Sequence, residues 1–347
     1  MMMTEMKFPR VLIFRRDCLL LLDQTMLPAR TVYRRLHSAA EVARAIKRLQ
    51  VRGAPWIGVA AGYGLAVEAQ RLPKNQIVRG LHRAARLLVR ARPTAVNLRW
   101  AVEQIMQVIA SNRDKPEALR RVVVSAAVAI ERREQHCSLA VARNGVRLIP
   151  KNGKVLTICN TGILAGPGLG TALGVVYQAQ FEGKNPTVFV CETRPLLQGA
   201  RLTAWELKRS GIEFRLIVDS AAASVIEECD LVIVGADRIA GNGDTANKIG
   251  TRMLAVLAKT AVKPFYVAAP SSTFDLKIKT GEEIPIEQRS GNEVLYCGQC
   301  RTAPAGSPVY NPAFDVTPAG YISGFITEAG IIQPPYKRNI RRLLIQW

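Results

Sequence analysis

One thiol and a small set of carboxylates carry the chemistry that this sequence offers. Cys159 closes the apolar run KVLTICN and is followed at once by the glycine-rich stretch TGILAGPGLGTALG. Four further apolar runs, TVFVCET, FRLIVDS, LVIVGAD and PFYVAAP, stop on Glu192 and Thr193, Asp219 and Ser220, Asp237 and Arg238, and Pro270 and Ser271. A thiol beside arginines or a helix N-terminus gains thiolate character and works as a base or nucleophile. An aspartate facing an apolar pocket keeps its proton and works as an acid. Cysteine is also among the residue types most often buried. Taken alone, Cys159 therefore has two readings, an inert core thiol or a reactive one.

Other chemistries are narrowed by what the sequence lacks. Gly166, Gly168 and Gly170 are spaced G-x-G-x-G, which is not the dinucleotide fingerprint. Such a loop before a helix still offers backbone N–H groups to any anion, and a plain tight turn accounts for it equally well. His37, His82 and His136 stand in no metal-ligand spacing, which argues against catalytic zinc and against histidine acid–base chemistry. Cys297 and Cys300 form a lone CxxC without a second pair, so neither metal nor redox work is expected there. No GxxxxGK[ST] loop and no GxSxG elbow occurs.

The five apolar runs alternate with helix-like segments, as in a doubly wound parallel sheet, and read as too uniformly apolar to leave a solvated face. Ligands of such a sheet bind beyond the carboxyl ends of its strands, and four of the five runs deliver reactive or hydrogen-bonding side chains to that edge. The first half reads differently. RVLIFRRDCLLLLDQTMLP is two apolar runs around a charged turn, an opening β-hairpin. SAAEVARAIKRL begins with Ser38 as N-cap and Glu41 three residues on, a capping box. Further helical patterns span 58–71, 77–91, 96–111 and 116–143, broken by Pro73, Pro93 and Pro116. The expected fold is α/β: a mostly helical N-terminal domain (1–145) with a short opening β-hairpin, then a Rossmann-like doubly wound parallel-sheet C-terminal domain (146–347) that carries the catalysis.

At 347 residues and 48% hydrophobic composition the chain exceeds what one core supports. No apolar stretch approaches the ~20 residues that span a bilayer. Arg15, Arg16 and Asp17 interrupt the early apolar runs where a signal peptide needs an unbroken core, so a soluble cytoplasmic protein with reduced cysteines is expected. The net charge of +21 is uneven: residues 1–150 hold 27 Lys and Arg against 10 Asp and Glu, whereas 151–347 hold 21 against 17. Arg79, Arg83, Arg86 and Arg90 share one helix face, but no aromatic residues interleave for base stacking. A solvated face is expected, not a nucleic-acid partner.

Six stretches together resemble the methylthioribose-1-phosphate isomerases: VRGAPWIGVAAGYGLA, ARPTAVNLRWA, ICNTG, ETRPLLQGARLTAWEL, GADRIAGNGDTANKIGT and NPAFDVTP. That family shares its fold with regulatory subunits of a translation-initiation guanine-nucleotide exchange factor. The resemblance implies that Cys159 is the catalytic cysteine and Asp237 the proton donor. It implies substrate contacts from the Arg52, Gly53 and Ala54 turn, from Arg92, from Gln198, and from Asn247 with Lys248. A homodimer acting on a phosphorylated pentose in methionine salvage, with no metal and no cofactor, is implied as well. Each residue also has a plainer reading: Asp237 as a helix N-cap, Gln198 as a loop support, Arg92 as a helix-ending surface residue.

Phosphate on the anomeric oxygen prevents spontaneous opening to an aldehyde, so such a reaction needs acid at the ring oxygen and then hydrogen movement from C2 to C1. Two routes stand open, proton removal by the Cys159 thiolate or an internal hydride shift beside it. Trp56, Ile158, Ile163, Gly166, Pro167, Leu169 and Ala221 depart from the usual family pattern and are expected to reshape the pocket walls. An apolar wall puts 5-methylthioribose 1-phosphate ahead of 5-deoxyribose 1-phosphate and ribose 1,5-bisphosphate. The rival from another class is a non-catalytic regulatory subunit, which has no need of Cys159 and Asp237 together.

Overall fold

The computed structural model describes residues 8–92 and 95–344; Pro93, read above as a helix break, lies outside them. The described residues divide into two compact units, one of 8–92, 95–139 and Ile163–Gly170, the other of Ala140–Gly162 and 171–344. No helix among the described residues is long and apolar enough to cross a membrane.

The first unit opens with three strands where a hairpin of two was expected. β1 (Leu12–Phe14), β2 (Leu19–Leu22) and β3 (Tyr33–Leu36) form an antiparallel sheet in that order. The third strand, YRRL, has no apolar run to announce it, because three of its four residues face solvent. Helices α1 (Ala39–Lys47), α2 (Ala54–Arg71), α3 (Ile77–Ala91), α4 (Val96–Ser111) and α5 (Pro116–Gly145) follow. Ser38 caps α1 by accepting the Glu41 N–H at 3.3 Å, but the Glu41 carboxylate accepts from the N–H of His37, not of Ser38. Half of the expected capping box is therefore displaced by one residue. In α3, Ile77, Leu81, Ala84, Ala85 and Leu88 are buried while Arg79, Arg83, Arg86 and Arg90 are exposed, as its 3.6-residue period requires.

The second unit is built from βα units. In chain order it holds β4 (Lys154–Thr157), α6 (Ala172–Phe181), β5 (Thr187–Cys191), α7 (Ala204–Arg209), β6 (Glu213–Ile217), α8 (Ala222–Val225) and β7 (Leu231–Val234). Next come β8 (Arg238–Ala240), β9 (Thr245–Lys248), α9 (Thr251–Thr260), β10 (Phe265–Ala268) and β11 (Phe274–Asp275). The end of the chain adds α10 (Asn292–Leu295), β12 (Tyr296–Cys297), β13 (Cys300–Arg301), β14 (Phe314–Thr317), β15 (Gly324–Thr327), β16 (Gly330–Ile332) and α11 (Tyr336–Leu344).

All five apolar runs are strands of one seven-stranded sheet, ordered β16-β15-β10-β7-β4-β5-β6 and parallel except at β15–β16. The chain winds outward from β4 through β5 to β6, returns to β7 on the other side of β4, and winds outward again to β10 and β15. The winding reverses between β4 and β7, the place where an open parallel sheet forms its ligand crevice. One expectation fails: β6 is an edge strand with Leu216 47% exposed, so an apolar run need not be covered on both faces. A second sheet, β11-β8-β9-β14, was not legible, because segments as short and polar as TANK carry no strand signature. Phe325 of β15 meets Phe274 and Tyr336 edge-to-face, with centroids at 5.6 and 4.9 Å.

Candidate active site

Cys159 lies two residues past β4 and Asp237 three past β7, the adjacent strands where the winding reverses. Cys159 is buried and has φ +67°, a left-handed conformation that costs a residue with a β-carbon about 1–2 kcal/mol. Two hydroxyls hold it there. Its N–H donates to Thr193 Oγ1 at 2.8 Å and its carbonyl accepts from Thr203 Oγ1 at 2.7 Å. Both backbone polar groups of a strained residue are thereby fixed by side chains that lie far along the chain.

Each threonine is itself held. Thr193 Oγ1 donates to the Cys191 carbonyl at 2.9 Å, and the N–H groups of Thr193 and Arg194 donate to the two Asp219 carboxylate oxygens at 2.8 and 2.7 Å. Asp219, a strand-end carboxylate, thus anchors backbone. Thr203 closes a single π-helical turn, Gly199–Thr203, a wide turn of the kind found at functional sites. The turn packs so closely that a β-carbon on Gly199 would stand 1.8 Å from the Cys191 carbonyl oxygen. Asn160 Nδ2 donates to Thr203 Oγ1 at 3.2 Å and to Glu206 Oε1 at 2.7 Å, and the Tyr177 hydroxyl donates to Glu206 Oε2 at 2.7 Å. Burial, followed by the Glu206 charge, pushes the Tyr177 hydroxyl well above the usual tyrosine range, so it stays a donor. Asn160, Thr193, Thr203 and Glu206 were not singled out as site residues from the sequence. Thr203 and Glu206 had no signal beyond membership of the matching stretches, whereas Asn160 and Thr193 stand where two apolar runs stop.

Gln198 stands just before the π-turn, 7% exposed, and its Oε1 accepts no hydrogen bond. A buried acceptor left so costs about 1–3 kcal/mol, which suits it to a ligand hydroxyl or N–H. A small cavity lined by Pro195, Gln198, Lys248, Arg289, Asn311 and Ala313 brings Gln198 and Lys248 together. Asp237 is half-buried, donates its N–H to the Ala246 carbonyl at 2.9 Å and leads into β8; the helix N-cap reading therefore fails. On β9, Asn247 Nδ2 donates to Thr251 Oγ1 at 2.9 Å, and Lys248 Nζ donates to the Ala313 carbonyl at 2.8 Å while lying 4.5 Å from the Phe314 ring centre. β14 pairs with β9 so that Asp315 faces Asn247. The Asp315 carboxylate accepts the Gly250 and Arg252 N–H groups at 2.7 and 3.1 Å and so fixes the turn after Lys248. Burial raises its carboxyl to about 6 against the pull of those N–H groups.

The remaining expected residues lie in the first unit. Arg52, Gly53 and Ala54 form the entry to α2, where Gly53 has φ +86° and a β-carbon would stand 2.2 Å from the Ala165 carbonyl oxygen. No other residue fits that position. Trp56 is buried, with Nε1 donating to the Ile163 carbonyl at 2.7 Å, so this departure pins the glycine-rich loop. Arg92 ends α3 but is only 9% exposed, which removes the surface reading. Ile158, expected in a pocket wall, lies instead in the core of the second unit with Leu156 and Val232.

Of the other thiols, burial pushes Cys191 and Cys229 up to about 12, with Asp219 and Glu228 respectively adding to the effect. No disulfide joins any of the seven cysteines. The fold also brings ligand-type atoms of Asp17, Cys18 and His37 within 4.8 Å of one another, a grouping that residue spacing does not show. Burial and the neighbouring Asp17 carboxylate push the Cys18 thiol above its usual range, with Arg35 and Arg15 opposing them.

Residues 50–334 match the family described as the Initiation factor 2 subunit family. Methylthioribose-1-phosphate isomerase 2 of Pseudothermotoga lettingae is 51% identical over 333 residues, covering 95% of this chain and 96% of its own length. The crystal structure of 5-methylthioribose 1-phosphate isomerase from Pyrococcus horikoshii superposes with a TM-score of 0.90 at 43% identity, covering 98% of this chain and 97% of that one. The translation initiation factor eIF-2B subunit delta from A. fulgidus superposes with a TM-score of 0.85 at 40% identity, covering 97% and 100%.

Proposed function

The chain belongs to the Initiation factor 2 subunit family, and on that premise we propose that it is the aldose–ketose isomerase of methionine salvage, converting 5-methylthioribose 1-phosphate to 5-methylthioribulose 1-phosphate. The observation that supports this most is that a thiol and a carboxylate follow the two strands flanking the reversal of the sheet. A binding module has no need of that pair.

Asp237 donates a proton to the ring oxygen, breaking its bond to C1. Hydrogen then moves from C2 to C1, and the C2 hydroxyl proton returns to the Asp237 carboxylate, leaving a C2 ketone. In one route the Cys159 thiolate takes the C2 proton, forming an enol phosphate that is reprotonated at C1. In the other a hydride passes directly and Cys159 polarises the site. Thr193 and Thr203 are positioning residues, because their grip on the Cys159 backbone sets where the sulfur points. Gln198, Asn247 and Lys248 bind sugar hydroxyls and phosphate in the second unit. In the first unit Arg52, Arg92 and the backbone N–H groups at Gly53 and Ala54, at the start of α2, bind anionic oxygen. We also propose domain limits of 1–145 and 146–347, a cytoplasmic location and a homodimer.

The second reading, a regulatory subunit without catalysis, is supported by the 40% identity to the A. fulgidus subunit. Purified protein incubated with 5-methylthioribose 1-phosphate and followed by phosphorus NMR separates the two: appearance of the ketose phosphate supports the isomerase. No turnover with this sugar, 5-deoxyribose 1-phosphate or ribose 1,5-bisphosphate rejects it. Substrate carrying deuterium at C2 distinguishes the routes, since full retention at C1 excludes a solvent-exchanging thiolate base.

A further inference from the structure

The segment YCGQCR folds into a small antiparallel hairpin, β12 and β13, in which Cys297 pairs directly with Cys300. Gly298 takes the first turn position with φ +62°, and a β-carbon there would meet nothing within 4 Å, so the turn is open to adjustment. Residues opposed in this way have Cα atoms about 4.5–5.5 Å apart and side chains on one face, inside the range of about 4.4–6.8 Å that a disulfide spans. Both cysteines are exposed, whereas the other five are buried. The base of the hairpin is tied down. Arg194 donates to the Val294 and Tyr296 carbonyls at 2.9 and 3.4 Å, and the Thr302 N–H donates to the Leu295 carbonyl at 2.9 Å. Two exposed thiols are thus held opposite each other at the tip of an anchored ribbon. Among the described residues no third Cys, His, Asp or Glu joins them as a metal-ligand set.

Against the expectation from spacing alone, we propose that Cys297 and Cys300 are a redox modification site, a dithiol that small-molecule disulfides convert reversibly to an intrachain disulfide. In the first step one cysteine thiolate attacks a sulfur of oxidised glutathione, forming a mixed disulfide and releasing one glutathione thiolate. The second cysteine thiolate then attacks the protein sulfur of that mixed disulfide and displaces the second glutathione. Two protein thiols lose two electrons and two protons, and one glutathione disulfide becomes two thiols. Preorganisation favours the second step over capture of another glutathione, because the attacking sulfur is held beside its target. Side chains at opposed positions lie slightly farther apart than an unstrained disulfide requires, which keeps the product reducible.

Native full-length protein is incubated with oxidised glutathione, quenched with iodoacetamide, denatured and cut with trypsin. Cleavage after Arg289 and Arg301 delivers both cysteines on one peptide, 290–301. The expected product is that peptide lighter by two hydrogens, about 2 Da, with neither glutathione nor alkyl group, and restored by dithiothreitol. In Cys300→Ser the reaction stops one step earlier, and the peptide carries one glutathionyl group on Cys297. Glutathione on both cysteines of the wild-type peptide, a disulfide to any other cysteine, or full alkylation under conditions that modify Cys300→Ser overturns the proposal.

Discussion

Cys159 and the Cys297–Cys300 pair sit in turns of opposite construction. At Cys159 the cysteine itself takes the left-handed conformation, is buried, and is held by two hydroxyls that come from 34 and 44 residues along the chain. In the hairpin a glycine takes the positive φ, the cysteines stay in extended pairing, and the tip is open to solvent. The first turn places one cysteine at a sheet edge; the second opposes two cysteines to each other. What a thiol does is therefore decided by which residue bears the strain and by what surrounds it. Cys191 and Cys229, buried and pushed up to about 12, are the inert reference.

The largest effect expected from breaking this contrast is at the strand ends. Cys159→Ala and Asp237→Asn each lower kcat by about 10²–10⁴-fold, measured as ketose phosphate formed. Cys297→Ser leaves kcat within about 2-fold of wild type, and an equal loss there would erase the distinction between the two turns. Next come the threonines: Thr193→Val and Thr203→Val lower kcat about 10-fold, equivalent to about 1.4 kcal/mol, with KM nearly unchanged. Thr203→Ser restores most of that rate. A loss of thermal stability with normal kcat in the folded fraction would assign the hydroxyls to folding alone.

A smaller effect is expected at Gln198, where Gln198→Ala raises KM about 5- to 10-fold, roughly the worth of one hydrogen bond, with kcat little changed. The smallest concerns pH. Burial raises the Asp315 carboxyl from 3.8 to about 6, so the folded state binds that proton more tightly than the unfolded state. Its contribution to stability is full below about pH 4 and is lost as the pH rises through about 6. The melting temperature of wild type minus that of Asp315→Asn should fall across that window, and a flat difference would reject the assignment.

Much of the candidate site was legible because it sits where local patterns stop. Five apolar runs became five strands, and Cys159 and Asp237 stand just past two of them, as a run ending on a reactive side chain suggests. The second sheet escaped notice because TANK and RIA are too short and mixed to show a period. Trp56 read as an odd substitution in a pocket wall, and only its bond to the Ile163 carbonyl shows it holding the glycine-rich loop. Asp219 looked as reactive as Asp237 in the sequence; its two backbone N–H partners give it a structural task.

By itself the sequence determined the helices of the first half, the five apolar strands and the residues at their ends, since hydrophobic period and capping act between near neighbours. Tertiary structure alone decided that β4 and β7 adjoin, that β6 is an edge, and that Thr193 and Thr203 hold Cys159. Those relations join residues tens of positions apart, and they depend on the order and register in which strands pack, which no local propensity encodes.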